Sequence, residues 1–469
     1  MTEPRYRYRG LTQAPTAVDA PPTGAGYPVA QPTGAEHSVA APSRYAEVPP
    51  RLLAGWLRTN ASAGLAEHAR DHGPLPIGAA PWLVEAITQA GLRGRGGAWF
   101  PTGRKLATVA ANGAKAGGAY VIVNGAESEP AAAKDKLLLR VVPHLVLDGA
   151  ELAALAVGAR EVTVCVHRGV GLLPVLRAAV AERAAGGWGA GVKLSVVESP
   201  NWYISSESTA LANFVNGGPG KPRSVSAYRD GVKGKPTLVS NTETYAHLAL
   251  IARHGADWFR QAGTAASPGT WLVTLSGAVR RPGVYEVPVG VSAADVLKLA
   301  GGASEPWQAM LLGGYGGAWL PAGETMAQPL TPESRDVLGC VPGAGVLFGL
   351  AAGACGLAET VRVAGWLAAQ NARQCGPCFN GTPAIVDDLA RLTWGRDRQA
   401  WDRARFRMAM VNRRGACAHP DGVVQLVNTA LHVFAADVAE HLARGGCPGL
   451  SQRPLLPIPA VPSPDQGWR

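Results

Sequence analysis

The chain has 469 residues, 47% hydrophobic and 17% charged, enough apolar sequence for roughly two to four domains with buried cores. Its net charge of +10 is scattered along the chain, without the interleaved aromatic and basic pattern of a nucleic-acid module. No signal-type apolar segment and no run of about 18 apolar residues stands in it, so a cytoplasmic chain without its own membrane span is expected, peripheral where it meets a membrane complex.

Residues 1–50 are rich in Pro, Ala, Gly and Thr, show no structural period, and are expected to be disordered. From 51 to 264, strands alternate with helices. Strands are predicted at Ala119–Asn124, Glu161–His167 and Val192–Glu198, and helices at Pro143–Val157 and Leu172–Ala185. That alternation predicts an α/β sheet with crossover helices, whose ligands bind in loops beyond the strand C-termini.

Residues 265–350 change character. Strands Gly269–Leu275 and Gly283–Val287 flank the turn Arg280–Gly283, and a helix over Ser292–Ala300 stops at Gly301 and Gly302. The glycine-rich stretch Leu312–Leu320 leads to a last apolar strand, completing a small α+β module. In 351–447 apolar residues recur at three- and four-residue spacing over Leu357–Gln370, Pro383–Leu392, Trp401–Val411 and Val423–Leu442, which predicts a helical bundle. Residues 448–469 carry Pro454, Pro457, Pro459, Pro462 and Pro464 and are expected to be a flexible tail.

The seven cysteines are odd in number in a chain without secretory signals, which argues against a disulfide framework. Cys165, inside a predicted strand, reads as a small core hydrophobe. Cys375-Gly376-Pro377-Cys378 is different. Two thiolates at this spacing, with Cys417 arriving from farther along the bundle, suit zinc or an iron–sulfur cluster. The same spacing serves a dithiol redox pair, which requires a βαβ setting instead of two helices.

The stretch Gly91–Lys105 (GLRGRGGAWFPTGRK) holds five glycines and four basic residues in fifteen positions. Glycine lets backbone N–H groups approach a ligand, and the cations favour a phosphate, so the loop reads either as a nucleotide cradle or as a flexible basic loop. Asn124–Pro130 (NGAESEP), Tyr203–Thr209 (YISSEST) and Val239–Thr244 (VSNTET) add amides and carboxylates that could bond a flavin edge, a ribose or a nicotinamide amide.

Taken together these segments resemble the flavin-bearing, NADH-oxidising 51-kDa (F) subunit family of respiratory complex I and its hydrogenase and formate dehydrogenase diaphorase relatives. The family's GLRGRGGAGFPTGLKW is matched by GLRGRGGAWFPTGRKL, its NADExEPGxxKDR by NGAESEPAAAKDK, its RYICGEETAL by WYISSESTAL, its GKPTxVNNVETL by GKPTLVSNTETY, and its CAHAPGA by CAHPDGV. The resemblance covers about residues 75 to 445. It implies an α/β FMN-binding domain, a β-grasp (ubiquitin-like, SLBB-type) module and a C-terminal four-helix bundle holding a 4Fe–4S cluster. It implies FMN contacts from Gly94, Arg95, Gly96, Lys105, Asn124, Glu127, Glu207 and Asn241, and NAD(H) contacts from Phe100, Glu129 and Tyr203. The implied partners are a ferredoxin-like protein or a membrane redox subunit.

The departures from the family fall at the site. Ala126 replaces an aspartate, Trp99 a glycine, Ser206 a glycine, Ser208 a glutamate and Ser240 an asparagine, and Val225 stands where a lysine helps hold NADH. Trp99 is expected beside the stacked nicotinamide, so FMN binding is expected to survive better than NADH oxidation. Ala372 replaces the first cluster cysteine. Cys375, Cys378 and Cys417 remain, with Asn371, His419, Cys355 or Cys447 as candidates for a fourth ligand. A flavin diaphorase without a cluster, and a scaffold that has lost electron transfer, are the competing expectations.

Overall fold

The computed structural model describes residues 48–462 and 467–469; the expected disordered segment lies outside them except for its last three residues. The first unit is a parallel four-stranded sheet of β1 (Ala119–Gly125), β2 (Ala159–His167), β3 (Lys193–Ser199) and β4 (Thr237–Asn241) in the order β3-β2-β1-β4. After the short helices Ala54–Thr59 and Leu65–His72, its helices are α1 (Leu83–Ala90), α2 (Thr102–Lys115), α3 (Lys134–Val141), α4 (Pro143–Val157), α5 (Leu172–Ala185), α6 (Ser208–Val215) and α7 (Thr242–Arg260). Tyr120–Val123 is buried throughout, as an unbroken apolar run in a sheet covered on both faces must be.

Helix α4 starts at Pro143, whose missing N–H costs nothing in a first turn, and stops at Gly158 in the left-handed region. All but two of its fifteen residues are buried. Its Asp148 accepts from Arg183 of α5 at 2.8 Å and His68 at 2.7 Å and pairs with Arg253 of α7, so charge as well as packing ties these helices together.

Strands β2 and β3 lie on one side of β1, and β4 on the other. The order therefore reverses between β1 and β4, the position at which open α/β sheets hold ligands. At their C-terminal ends, Asn124 and Asn241 stand side by side in register.

The second unit is a mixed sheet of β5 (Thr270–Gly277), β6 (Gly283–Pro288), β7 (Trp307–Leu312), β8 (Ala318–Pro321) and β9 (Val346–Ala351), ordered β6-β5-β9-β7-β8, with α8 (Ala293–Leu299) against it. Only β5 and β9 run parallel. The two-residue alternation of β7 divides its faces. Met310 and Leu312 join Trp271, Val273 and Val296 on one side, while Ala309 and Leu311 join Trp319 and Phe348 against the C-terminal helices on the other.

Those helices are α9 (Gly356–Ala369), α10 (Thr382–Trp394), α11 (Gln399–Val411), α12 (His419–Val433) and α13 (Ala435–Arg444). The single helix expected over Val423–Leu442 is two, bent by 76°. Phe434 at the break leaves helical geometry and wedges its ring 5.3 Å from that of Trp319, against Gly356. Phenylalanine is not a stop signal, and the apolar period runs on through the bend. No single helix among the described residues is long and apolar enough to cross a membrane.

The described residues of the expected tail, 448–462 and 467–469, make specific contacts with the rest of the protein. The Leu455 and Leu456 N–H groups donate to the Glu359 carboxylate at 3.0 and 3.1 Å, Trp366 Nε1 donates to Pro459 O at 2.9 Å, and Trp468 stacks on Trp202 with ring centroids 4.3 Å apart. Proline-rich backbone keeps its carbonyls free, and here aromatic side chains use them as acceptors.

Candidate functional site

A cavity of about 450 Å³ opens where the three units meet. Its wall includes Arg95, Gly96 and Gly97 from the glycine loop, Asn124–Glu129 except Gly125, Tyr203 and Glu207, and Asn241. The second unit adds Gly313, Gly316, Gly317 and Gly343, and the helices add Leu367, Ala418, His419, Gly422 and Gln425. The glycines are needed for close approach. A Cβ on Gly343, at φ +58°, would stand 2.5 Å from Gly313 Cα, and one on Gly314 would stand 2.5 Å from the Glu129 carboxylate.

The glycine loop is not a floppy segment. Gly94 N donates to Phe100 O and Thr102 N to Leu92 O, both at 2.8 Å, and Arg95 N donates to Thr244 Oγ1 at 2.9 Å. This closure leaves Gly94 outside the cavity lining. The Arg95 guanidinium is buried, donates to Pro268 O and Thr270 O at 3.2 and 3.1 Å, and lies 3.9 Å from Glu243. Burial lowers its pKa to about 10. Lys105 also falls outside the lining. Its Nζ donates to Val239 O at 2.6 Å, and burial lowers its pKa to about 8.

Trp99 corrects an expectation. It lies away from the cavity, 2% exposed, in the core of the second unit. Its Nε1 donates to Gly343 O at 3.1 Å, its ring lies 5.2 Å from that of Trp271, and Arg95 sits over it at 4.7 Å. Its φ of +51° is the kind the related motif's glycine supplies without strain. The side chain therefore takes no room from a ligand. Phe100 is 44% exposed and, with Val225, also stands outside the lining.

The carboxylates divide by what they already hold. Glu127 accepts from the N–H groups of Asp135 and Lys136 at 3.1 and 3.2 Å, in the first turn of α3. Glu207 caps α6, accepting from Thr209 N at 2.8 Å and Ala210 N at 3.1 Å. Ser208 donates to its other oxygen at 2.7 Å. Glu129 accepts from Tyr315 N at 2.8 Å and Tyr203 Oη at 3.3 Å, and burial pushes its pKa up to about 7.

Lys134 and Asp135 line the cavity but were not singled out in the sequence, although they belong to the matched NGAESEPAAAKDK segment. Lys134 Nζ donates to Glu243 at 2.8 Å and Asp135 at 3.1 Å, and these carboxylates hold its pKa above the ordinary lysine value. Asp135 in turn accepts from Asn241 Nδ2 at 3.2 Å. Gly313, Gly316, Gly317 and Gly343 were not singled out either, the glycine-rich run 312–320 being the one signal that could have pointed to the first three; His419 and Gln425 gave no signal of their own.

These residues fit a flat, hydrogen-bonding guest. Asn124 Oδ1 is buried without a hydrogen-bond partner, while Asn124 Nδ2 is fixed on Ser206 O at 2.8 Å. The free oxygen is an acceptor for a ring N–H. The glycine loop reaches the cavity through Gly96 and Gly97, and α7 through its cap Asn241.

Cys417 directly precedes the cavity residues Ala418 and His419. The Ala416 N–H points at Cys375 Sγ, 3.5 Å away. Burial, with the neighbouring Cys375 and Cys417, pushes the Cys378 thiol up to about 12; burial raises Cys417 too, helped by Glu207. Among the described residues, Cys375, Cys378 and Cys417 do not bring their ligand atoms within 4.8 Å of one another.

The proposed fourth-ligand candidates are elsewhere engaged. Asn371 holds the loop backbone, donating to Cys378 O at 2.9 Å, and His419 Nε2 lies 2.9 Å from Leu367 O. Cys355 precedes the far end of fourteen-residue α9, roughly 20 Å along the axis, and gathers with Cys447 and His441. Ala372 is buried.

Residues 87–250 match the Nuo51 FMN-binding domain, 272–314 the SLBB domain, and 358–441 the NADH-ubiquinone oxidoreductase-F iron-sulfur binding region. The F-type subunit of NADH-quinone oxidoreductase from Mycobacterium tuberculosis (strain H37Rv) is 32% identical over 390 residues, covering 78% of this chain and 86% of the relative. The NADP-reducing hydrogenase subunit HndC of Solidesulfovibrio fructosivorans is 27% identical over 381 residues, covering 78% and 77%. A structure of NAD+-reducing [NiFe]-hydrogenase in the air-oxidized state superposes with a TM-score of 0.74 at 29% identity, covering 88% of this chain and 69% of that one. The chain belongs to the family of F-type subunits of NADH-quinone oxidoreductase, and its FMN-binding, SLBB and iron–sulfur binding regions follow one another along one polypeptide.

Proposed function

We propose that this chain is an electron-transfer subunit that seats FMN in the cavity and a 4Fe–4S cluster on Cys375, Cys378 and Cys417, and passes electrons between them. Adjacency carries this reading: Cys417 is joined to the cavity wall through Ala418 and His419, and Glu207 of that wall acts on its thiol. FMN supplies the exchange between two-electron and one-electron chemistry. Asn124 fixes the ring through its free oxygen, the glycine loop and α7 N-terminus hold the phosphate, and Glu129 holds a proton on its carboxyl near neutral pH. The cluster's fourth ligand is not a cysteine.

The second unit is read as a β-grasp, ubiquitin-like module of SLBB type, supported by its mixed strand order. The helical unit is read as a four-helix bundle, because α9, α10, α11 and α12 pack in a closed ring with α13 appended.

NADH oxidation is weakened at this site, and a ferredoxin-like protein or a membrane redox subunit exchanges electrons with it instead. Trp99 no longer supports that statement. Its support is Ser206, on the cavity wall in place of the family's glycine, together with Ser208 and Ala126. Anaerobically purified protein tests the reading through flavin and iron content, low-temperature EPR and bleaching by dithionite or NADH. Flavin bands over a broad cluster absorbance, with slow NADH bleaching, are expected. Colourless, iron-free protein after reconstitution would leave the scaffold reading, and rapid NADH bleaching would restore the ordinary donor.

A further inference from the structure

Cys355, His441 and Cys447 bring their ligand atoms within 4.8 Å of one another, roughly 20 Å along α9 from the thiols assigned above. They come from three places in the chain. Cys355 is the N-cap of α9, His441 lies in α13, and Cys447 directly precedes the tail.

The imidazole is set for a metal. Its Nδ1 lies 2.6 Å from Thr393 O, at the end of α10, and so carries the proton. The lone pair is left on Nε2, which lies 3.5 Å from Cys355 Sγ. A carbonyl fixing the outer ring nitrogen is the usual companion of a ligating histidine. The 3.5 Å separation also matches a tetrahedral edge, about 3.6 Å for Zn–S of ~2.3 Å and Zn–N of ~2.1 Å.

Charge and surroundings agree. His441 is fully buried and Cys355 nearly so, whereas Cys447 is partly exposed. Two thiolates and one divalent cation sum to zero, the charge a buried site tolerates best. The Ala358 N–H points at Cys355 Sγ from 3.4 Å, a donor suited to a thiolate at a helix N-terminus. Binding a divalent ion through two thiolates displaces their thiol protons to solvent.

We propose that Cys355, His441 and Cys447 hold a zinc-class divalent ion, separate from the iron–sulfur site, with water in the fourth position on the Cys447 side. The ion ties the start of α9 and the appended helix α13 to the start of the tail. Gly449 is pressed onto this junction, since a Cβ there would lie 2.5 Å from Ala354 C. The tail then crosses α9, with its backbone held on Glu359 and Trp366. The alternative use of two thiols this close is a Cys355–Cys447 disulfide, which excludes the ion.

The experiment measures zinc in the full chain purified under reducing conditions, in wild type and in Cys447→Ser, His441→Gln and Cys378→Ser. The expected result is one zinc per chain in wild type and Cys378→Ser, lost in Cys447→Ser and His441→Gln. Zinc K-edge EXAFS on the wild type guards against misfolded variants: two sulfur and two nitrogen or oxygen scatterers are expected. Chelation should lower the melting temperature of wild type and leave that of Cys447→Ser unchanged. A wild type without zinc, zinc that disappears with Cys378 but not Cys447, an all-sulfur shell, or a Cys355–Cys447 disulfide in metal-free protein would each overturn the proposal.

Discussion

The Ser128 hydroxyl lies 2.5 Å from the Ser206 hydroxyl, and Ser206 Oγ in turn donates to Tyr203 O at 3.1 Å. A hydroxyl has one proton, so Ser128 is the donor in the first bond. The pair joins the loop after β1 to the short helix Tyr203–Ser206 within the cavity wall. With glycine at 206, as in the related motif, neither bond can form.

Ser206→Gly is therefore expected to speed NADH-dependent flavin bleaching by about tenfold or more, ~1.4 kcal/mol in the barrier. The lost hydrogen bonds should cost about 1 kcal/mol of stability. Stopped-flow absorbance checks the rate and denaturant unfolding the stability. An unchanged bleaching rate would remove Ser206 as the cause of a weakened nicotinamide site.

Glu129 gives a pH signature. Its pKa rises in the folded state to about 7 because burial disfavours the charged form. The folded protein thus binds a proton there that the unfolded chain has lost above about pH 4.3. This stability contribution is full below the unfolded value and lost as pH rises through about 7. Over that range wild type should lose about 3 kcal/mol relative to Glu129→Gln, an order-of-magnitude figure at 1.36 kcal/mol per pKa unit. Buried histidines with lowered pKa values, such as His167, oppose the trend on the acid side, so the measured quantity is the wild type minus variant difference. A difference flat from pH 5 to 8 would show that Glu129 is ionised throughout.

Asn124→Ala removes the unpartnered Oδ1 and frees Ser206 O from its bond to Nδ2. Flavin affinity should fall about tenfold, the ~1.4 kcal/mol of a good hydrogen bond. Fluorescence titration of flavin-free protein with FMN measures it. Equal affinity in the two proteins would place the ring elsewhere in the cavity.

The parallel sheet was legible because its strands are short apolar runs between helical periods, and Leu172–Ala185 is helical over the residues expected. The residues around Asn124 were legible as the end of a strand, whereas the strand that carries Asn241 was not predicted. Trp99 was misplaced because its direction depends on the docking of a second sheet carrying Trp271, which no local pattern reveals. The ends of Glu127 and Glu207 were hidden for a similar reason: both look like free acceptors in a run of residues, and both already cap helices. The break at Phe434 and the anchored proline tail depend on tertiary partners as well.

The cluster assignment makes opposite predictions for chemically similar cysteines. Cys378→Ala should strip iron from the protein, because it leaves two thiolates of three. Cys165→Ala should keep the iron, since Cys165 is buried in β2 beside Asn124, in the core of the first unit. The more searching change adds a ligand. Ala372 occupies the family's first cysteine position and is buried next to Asn371, which grips the Cys378 carbonyl at 2.9 Å. Ala372→Cys should give the cluster four thiolates, raising iron retention during air exposure and shifting the EPR signal toward that of an all-cysteine cluster. The added sulfur is one atom in a tight loop, so a stability loss of about 1–3 kcal/mol in the cluster-free form is expected, offset when the cluster is loaded. Iron content and EPR unchanged from wild type would mean that residue 372 does not face the metal and that the three cysteines hold it in another arrangement.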